Sequence, residues 1–432
     1  MDAVRASLFP RAAMLLATGL LAAAGLTAGL TAALRAAPLD KQRDRPLTRA
    51  EATRRARLLE DIGRQLFVDP TLSGSGTLSC ASCHSPQHAF GPPNARATQL
   101  GGKQLDRVGL RAVPSLRYLQ TRPPFSEHFF ESEEDGDESV DAGPTGGLTW
   151  DGRVNRGRDQ ARIPLLSPDE MANDRIADIV AAVKRAPYAR QFKEPITFDA
   201  IVTALATYEQ READFYPYSS KYDASLRGEA RLSTQEQRGL QLFNDPAKGN
   251  CARCHISQRG PNGTLPQFTD YGFLALGLPR NRTLPANADP AYFDLGLCGP
   301  IRTDLLTKAE YCGKFMTPTL RNVATRQTFF HNGVVHSLRE AVAFYVQRDT
   351  SPEKWYPHGK FDDLPVRYQE NVEMEPPFGR RPGDPPALSE AEIDDVVAFL
   401  QTLTDGFSAA STPPQTMPSP SPRTGAAPLR SR

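Results

Sequence analysis

Two copies of the pattern Cys-x-x-Cys-His, at Cys80-Ala81-Ser82-Cys83-His84 and Cys251-Ala252-Arg253-Cys254-His255, constrain this chain more than any other feature. In such a pattern the two thiols can add to the vinyl groups of a haem while the adjacent histidine reaches the iron. A zinc knuckle would use paired Cys-x-x-Cys motifs, and a redox disulfide would sit beside a βαβ pattern. Neither explains a histidine after both motifs. The chain therefore reads as carrying two covalently attached haem c groups, with His84 and His255 as iron ligands.

The N-terminus agrees with that chemistry. Arg5 and Arg11 precede an apolar stretch from Ala12 to Leu34, followed by small residues at Ala36 and Ala37. Residues 1–37 read as an export signal, which implies a periplasmic protein. The run is also long enough to span a bilayer, so an uncleaved membrane anchor is the alternative. In an oxidising compartment the two cysteines outside the motifs, Cys298 and Cys312, could pair; two free thiols is the other reading. Lysine plus arginine number 51 against 50 aspartate plus glutamate, so no net field points to nucleic acid or to a strongly charged partner.

Three blocks recur in the same order along the chain. Gly63-Arg64-Gln65-Leu66-Phe67-Val68-Asp69-Pro70 precedes the first motif as Gly239-Leu240-Gln241-Leu242-Phe243-Asn244-Asp245-Pro246 precedes the second, each resembling a helix that ends at a proline-marked turn. Pro114-Ser115-Leu116-Arg117 pairs with Pro318-Thr319-Leu320-Arg321, and the register holds through Thr121-Arg122 and Thr325-Arg326. Trp150-Asp151-Gly152 then matches His331-Asn332-Gly333. An additional segment from about Ser126 to Leu148, with an acidic run from Glu131 to Glu138, reads as a solvated loop. Capping-box patterns at Thr48/Glu51, Ser233/Glu236 and Ser389/Glu392, and helical spacing in Ile176 to Val183, Ile201 to Tyr208 and Ile393 to Leu403, predict a mainly α chain. The expected organisation is two cytochrome c-like helical domains related by internal duplication, at 46–225 and 232–407, and a disordered Pro/Ser/Thr-rich tail at 408–432.

Together the two motifs, Trp150-Asp151-Gly152-Arg153, Met316-Thr317-Pro318-Thr319-Leu320-Arg321-Asn322-Val323, and Phe330-His331-Asn332-Gly333 followed by Leu338 to Tyr345 resemble bacterial di-haem cytochrome c peroxidases, and within them the MauG-like branch. That resemblance implies that the N-terminal haem reacts with hydrogen peroxide. Glu170 then falls at the distal carboxyl, Gln160 at a glutamine that shapes the distal pocket, and Trp150 between the haems. Tyr345 falls where conventional peroxidases of the family have a ligating methionine and the MauG-like branch has tyrosine. No histidine lies between His88 and Pro114, where conventional members carry a resting ligand, so the first haem is expected to be five-coordinate. The family's calcium site is in doubt, because its side-chain asparagine aligns with Ala112.

Each of these residues also has an ordinary reading. Glu170 could be a helix-terminal acid, Gln160 a surface residue, Trp150 core packing, and Tyr345 a helix-face aromatic in line with Leu338, Ala341 and Val342. Met316 and Met374 are the other candidate ligands of the second iron. The resemblance implies a peroxidase that passes oxidising equivalents to a redox protein or to an oxidisable side chain on a partner protein. A conventional cytochrome c peroxidase and a non-catalytic electron-transfer cytochrome are the rivals.

Overall fold

The computed structural model describes residues 46–129 and 142–408. The expected signal segment, the acidic run and the tail from 409 onward lie outside the described residues. From Glu51 onward the described residues belong to one compact unit. It is mostly helical, and its strands are two-residue pairs: β1 (Leu100–Gly101) with β2 (Arg107–Val108), and β3 (Phe273–Leu274) with β4 (Phe315–Met316), both antiparallel.

The duplicated block seen in the sequence is a duplicated helix crossing. Helix α1 (Arg49–Phe67) crosses a later helix, Phe198–Tyr208, so closely that a Cβ on Gly63 would fall 2.1 Å from the carbonyl oxygen of Ala204. In the second half, the helix Thr234–Asn244 crosses Glu390–Gln401, and a Cβ on Gly239 would fall 2.0 Å from the carbonyl oxygen of Asp395. Only glycine permits backbones to approach this closely. The phenylalanine four residues later packs edge-on in both copies, Phe67 on Tyr208 at 5.5 Å and Phe243 on Phe399 at 5.2 Å. Each crossing anchors its own hydrophobic cluster, one around Leu66, Phe67 and Leu205, the other around Phe243, Phe344 and Phe399.

The remaining elements fit around these crossings. Helix α2 (Gly157–Leu166) packs on α4 (Phe198–Tyr208), as does α3 (Ile176–Arg185). In the second half α5 (Thr234–Asn244) and α6 (Leu338–Gln347) both pack on α7 (Glu390–Gln401). The expected capping boxes close α5 and α7: the Ser233 and Ser389 hydroxyls accept from the amides of Glu236 and Glu392 at 3.2 and 3.3 Å, and those glutamates accept back from the serine amides. Each such cap is worth about 0.5–2 kcal/mol. Helix α2 lies outside the segments whose spacing predicts helices; it contains Gly157 and Pro164, the latter in its last turn. Cys298 and Cys312 form a disulfide that closes a third cluster around Phe273, Leu297 and Met316. Among the described residues no helix is long and apolar enough to cross a membrane.

Candidate functional site: a shared cavity

Both motifs open onto one cavity of about 600 Å³, within the range of cofactor sites. Residues 80–83 form a single helical turn, held by the Ser79 amide donating to the Ser82 hydroxyl at 3.0 Å. The second motif is a tighter 3-10 turn entered through Asn250 in a left-handed conformation. In both, the histidine amide donates to the carbonyl of the first cysteine, at 2.8 and 2.9 Å. The ring Nδ1 of His84 lies 3.1 Å from the Phe90 carbonyl and that of His255 lies 2.9 Å from the Phe268 carbonyl. A carbonyl can only accept, so Nδ1 carries the proton and Nε2 keeps its lone pair for a metal. Burial brings the His84 imidazole down to about 4 and lowers His255 as well, so both stay neutral.

None of the four motif cysteines is in a disulfide. Burial pushes the thiols of Cys80, Cys251 and Cys254 up to about 12 and that of Cys83 to about 11. Among the described residues no group of three or more His, Cys, Asp or Glu is arranged to hold a metal ion. An iron at His84 or His255 would have to bring its own equatorial ligands. A porphyrin does so, and the residues present fit it.

Glu170, Gln160 and Trp150 line this cavity too, as does Tyr345. Gln160 stands on α2. Glu170 follows that helix in a tight turn capped by Ser167, so it does not sit at a helix N-terminus; the next helix begins only at Ile176. Its side chain is exposed, but onto the cavity deep in the molecule, and desolvation raises its carboxyl above the usual range, partly opposed by the Ser167 hydroxyl and Arg153. It is close enough to the first motif for its charge to raise the Cys83 thiol.

Trp150 ties the two halves together. Its Nε1 donates to the Ala112 carbonyl at 2.8 Å, and its own carbonyl accepts from the Met316 amide at 2.9 Å. Next to it, fully buried Asp151 pairs with Arg153 at 2.8 Å and with Arg111 at 2.7 Å, and Arg111 also grips Asp294 at 2.6 Å. Those guanidinium groups overcome burial and hold the Asp151 carboxyl below its usual range. The Ala112 carbonyl thus accepts from the Trp150 indole beside this cluster of paired charges.

Tyr345, on α6, stands among Phe330 and Phe378, with ring centroids 6.0 and 5.6 Å away. Burial pushes its hydroxyl upward, and the charges of Cys254 and Cys251 add to the shift, which ties it to the second motif. Of the rival methionines, Met316 is buried on the cavity wall, whereas Met374 is exposed with its sulfur 3.3 Å from the Arg348 guanidinium.

Comparison with known proteins decides the family. The family model for di-haem cytochrome c peroxidase matches residues 58–231. Methylamine utilization protein MauG of Paracoccus denitrificans is 32% identical over 370 residues, covering 80% of this chain and 88% of that one. The chain belongs to the di-haem cytochrome c peroxidase family. Cytochrome c551 peroxidase of Pseudomonas aeruginosa is 28% identical over 294 residues, 66% of this chain and 70% of its own. Among solved structures, the diheme peroxidase BthA from Burkholderia thailandensis matches with a TM-score of 0.71 at 40% identity, covering 80% of this chain and 86% of that one.

This di-haem peroxidase also carries an acid that no motif marks. Glu209, the residue after α4, lines the cavity beside the first motif, and its charge raises Cys80. Burial alone pushes its carboxyl up to about 8. At the sequence level it is an ordinary helix C-cap, and only the crossing of α1 over α4 carries it inward.

Proposed function

We propose that the protein is an exported, periplasmic peroxidase of MauG type. In this reading one haem c is attached through Cys80 and Cys83 and ligated by His84. The other is attached through Cys251 and Cys254 and ligated by His255 and Tyr345. The haems supply an open iron that accepts hydrogen peroxide and a second iron that stores an oxidising equivalent. Every other step belongs to the chain. Glu170, with its raised pKa, takes a proton from one peroxide oxygen and returns it to the departing one, which leaves as water. Gln160 orients the peroxide by hydrogen bonding. His84, held by the Phe90 carbonyl, keeps its Nε2 directed at the metal. Trp150 relays an electron between the two sites. Tyr345 supplies an anionic oxygen that favours higher oxidation states, and a metal cation offsets the burial that otherwise keeps its proton on. Electrons return from a small redox protein or from an oxidisable side chain of a partner protein.

The observation that carries this reading is the asymmetry of the shared cavity, with a carboxyl of raised pKa at the first motif and a half-buried tyrosine at the second. The conventional cytochrome c peroxidase draws its support from Met316, which lines the same cavity. Peroxide added to the fully oxidised protein separates the two: a direct reaction supports the MauG type, and a requirement for prior one-electron reduction supports the conventional enzyme.

A further inference from the structure

Six arginines line the cavity, and four of them have a carboxylate partner. Arg111 pairs with Asp151 and Asp294, Arg153 with Asp151, Arg321 with Asp223, and Arg253 lies 3.8 Å from Glu373. Arg122 and Arg326 have no acidic partner among the described residues. Arg326 donates only to backbone, from both terminal nitrogens to the Val113 carbonyl at 3.1 Å and from Nε to the Thr328 carbonyl at 3.1 Å. Arg122 makes a single long bond to the Gly147 carbonyl at 3.3 Å, and its Nε is buried with no partner. A guanidinium offers five N–H donors, so both are left with charge and donors to spare. Desolvation brings each down to about 10, the reverse of the paired Arg321.

These two residues are counterparts in the internal duplication, at the end of the Thr121-Arg122 and Thr325-Arg326 blocks. Each also reaches across to the other half. Arg326 contacts Val113 on the first motif's cavity wall, and its Nη1 lies 3.7 Å from where a Cβ on Gly91 would fall, next to the Phe90 carbonyl that holds His84. Arg122 lies 6.0 Å from the Tyr271 ring, three residues beyond Phe268, whose carbonyl holds His255. Two half-buried cations without a carboxylate partner, at equivalent positions on one cavity, call for an anion to meet them. Thioether attachment through the vinyl groups leaves both haem propionates free as carboxylates, and a guanidinium fork matches a carboxylate bidentately.

The geometry points to Arg326 and Arg122 as propionate counter-cations supplied crosswise, Arg326 from the second half to the haem held by His84 and Arg122 from the first half to the haem held by His255. This rests on the two-haem reading above. Removing such a cation favours the more positive ferric iron and so lowers that haem's reduction potential.

The test uses the intact holoprotein, with two covalent haems first verified by mass and by pyridine haemochromogen; a wild-type protein without them would refute the two-haem reading itself. Spectroelectrochemical titration of R326Q is expected to lower the ferrous-to-ferric ratio of the His84 haem at least tenfold at fixed potential, about 59 mV for one electron, with R326K recovering most of it. R122Q is expected to act on the His255 haem instead. Potentials unchanged within threefold, with only the melting temperature reduced, would make both residues backbone clamps and overturn the inference, as would equal shifts of both haems. Should R326Q not fold, infrared spectroscopy of the wild-type protein carrying ¹³C-propionate haem decides: paired propionates stay ionised below the usual carboxylate range, and titration within that range overturns the assignment.

Discussion

Replacing Glu170 by glutamine removes a proton carrier while keeping shape and hydrogen-bonding capacity, so the effect should fall on chemistry and not on folding. Glu170 is held above the usual carboxylate range by desolvation, with Ser167 and Arg153 pulling the other way. A carboxyl raised in this way is a better proton acceptor once ionised, and losing such a general acid–base costs about 10²- to 10⁴-fold. At 1.36 kcal/mol per decade that is roughly 2.7–5.4 kcal/mol on the barrier. The assay is stopped-flow mixing of the fully oxidised protein with peroxide across pH. In the wild type the rate should fall as pH falls through the raised carboxyl pKa, because the protonated acid cannot accept the peroxide proton. In E170Q the rate should be low at every pH and that acidic limb should vanish. Glu209 provides the control, since burial pushes it up to about 8 on the same cavity wall. A limb near 8 that survives in E170Q and disappears in E209Q would refute the assignment and make Glu209 the proton carrier.

Tyr345→Phe should alter the low-temperature EPR of the ferric protein through loss of the low-spin signal of the second haem; an unchanged signal would sink Tyr345 as a ligand. Trp150→Phe, followed by rapid-scan spectroscopy, should slow transfer to the second haem without slowing the first reaction with peroxide, and unaltered transfer would leave Trp150 as packing alone. Gly239→Ala drives a methyl to 2.0 Å from the Asp395 carbonyl and should cost about 1–3 kcal/mol by overpacking, read as a lower melting temperature. Cys298→Ser with Cys312→Ser removes the disulfide and should cost about 2–4 kcal/mol in chemical denaturation; no change would mean that the third cluster holds without it.

What could be read from the sequence was what depends on local pattern or on repetition. The two motifs pointed to a haem family because five adjacent residues carry the whole attachment pattern. The Gly63 and Gly239 blocks announced the duplication, and in the fold they are the same helix crossing made twice. Serine caps at Ser233 and Ser389 marked helix starts because capping is decided within four residues. Helix α2 was hidden by Gly157 and Pro164, which depress helical propensity; packing on α4 overrides that preference. The ordinary reading of Glu170 as an acid at a helix start failed for the same reason, since the helix precedes it. Glu209, the Arg111 junction with Asp151 and Asp294, and the unpaired Arg122 and Arg326 were not legible, because each is defined by partners 40 or more residues away or by having none. Such contacts arise only when the two halves close around one cavity.

The central claim is that two unequal haem sites share the oxidising power of one peroxide. It is tested most directly by adding one equivalent of hydrogen peroxide to the fully oxidised protein and following its optical and Mössbauer spectra. The account predicts prompt reaction without prior reduction, with both irons oxidised beyond the ferric level. No reaction until one haem has been reduced would contradict it in favour of the conventional peroxidase, and a wholly low-spin protein indifferent to peroxide would contradict it in favour of an electron carrier.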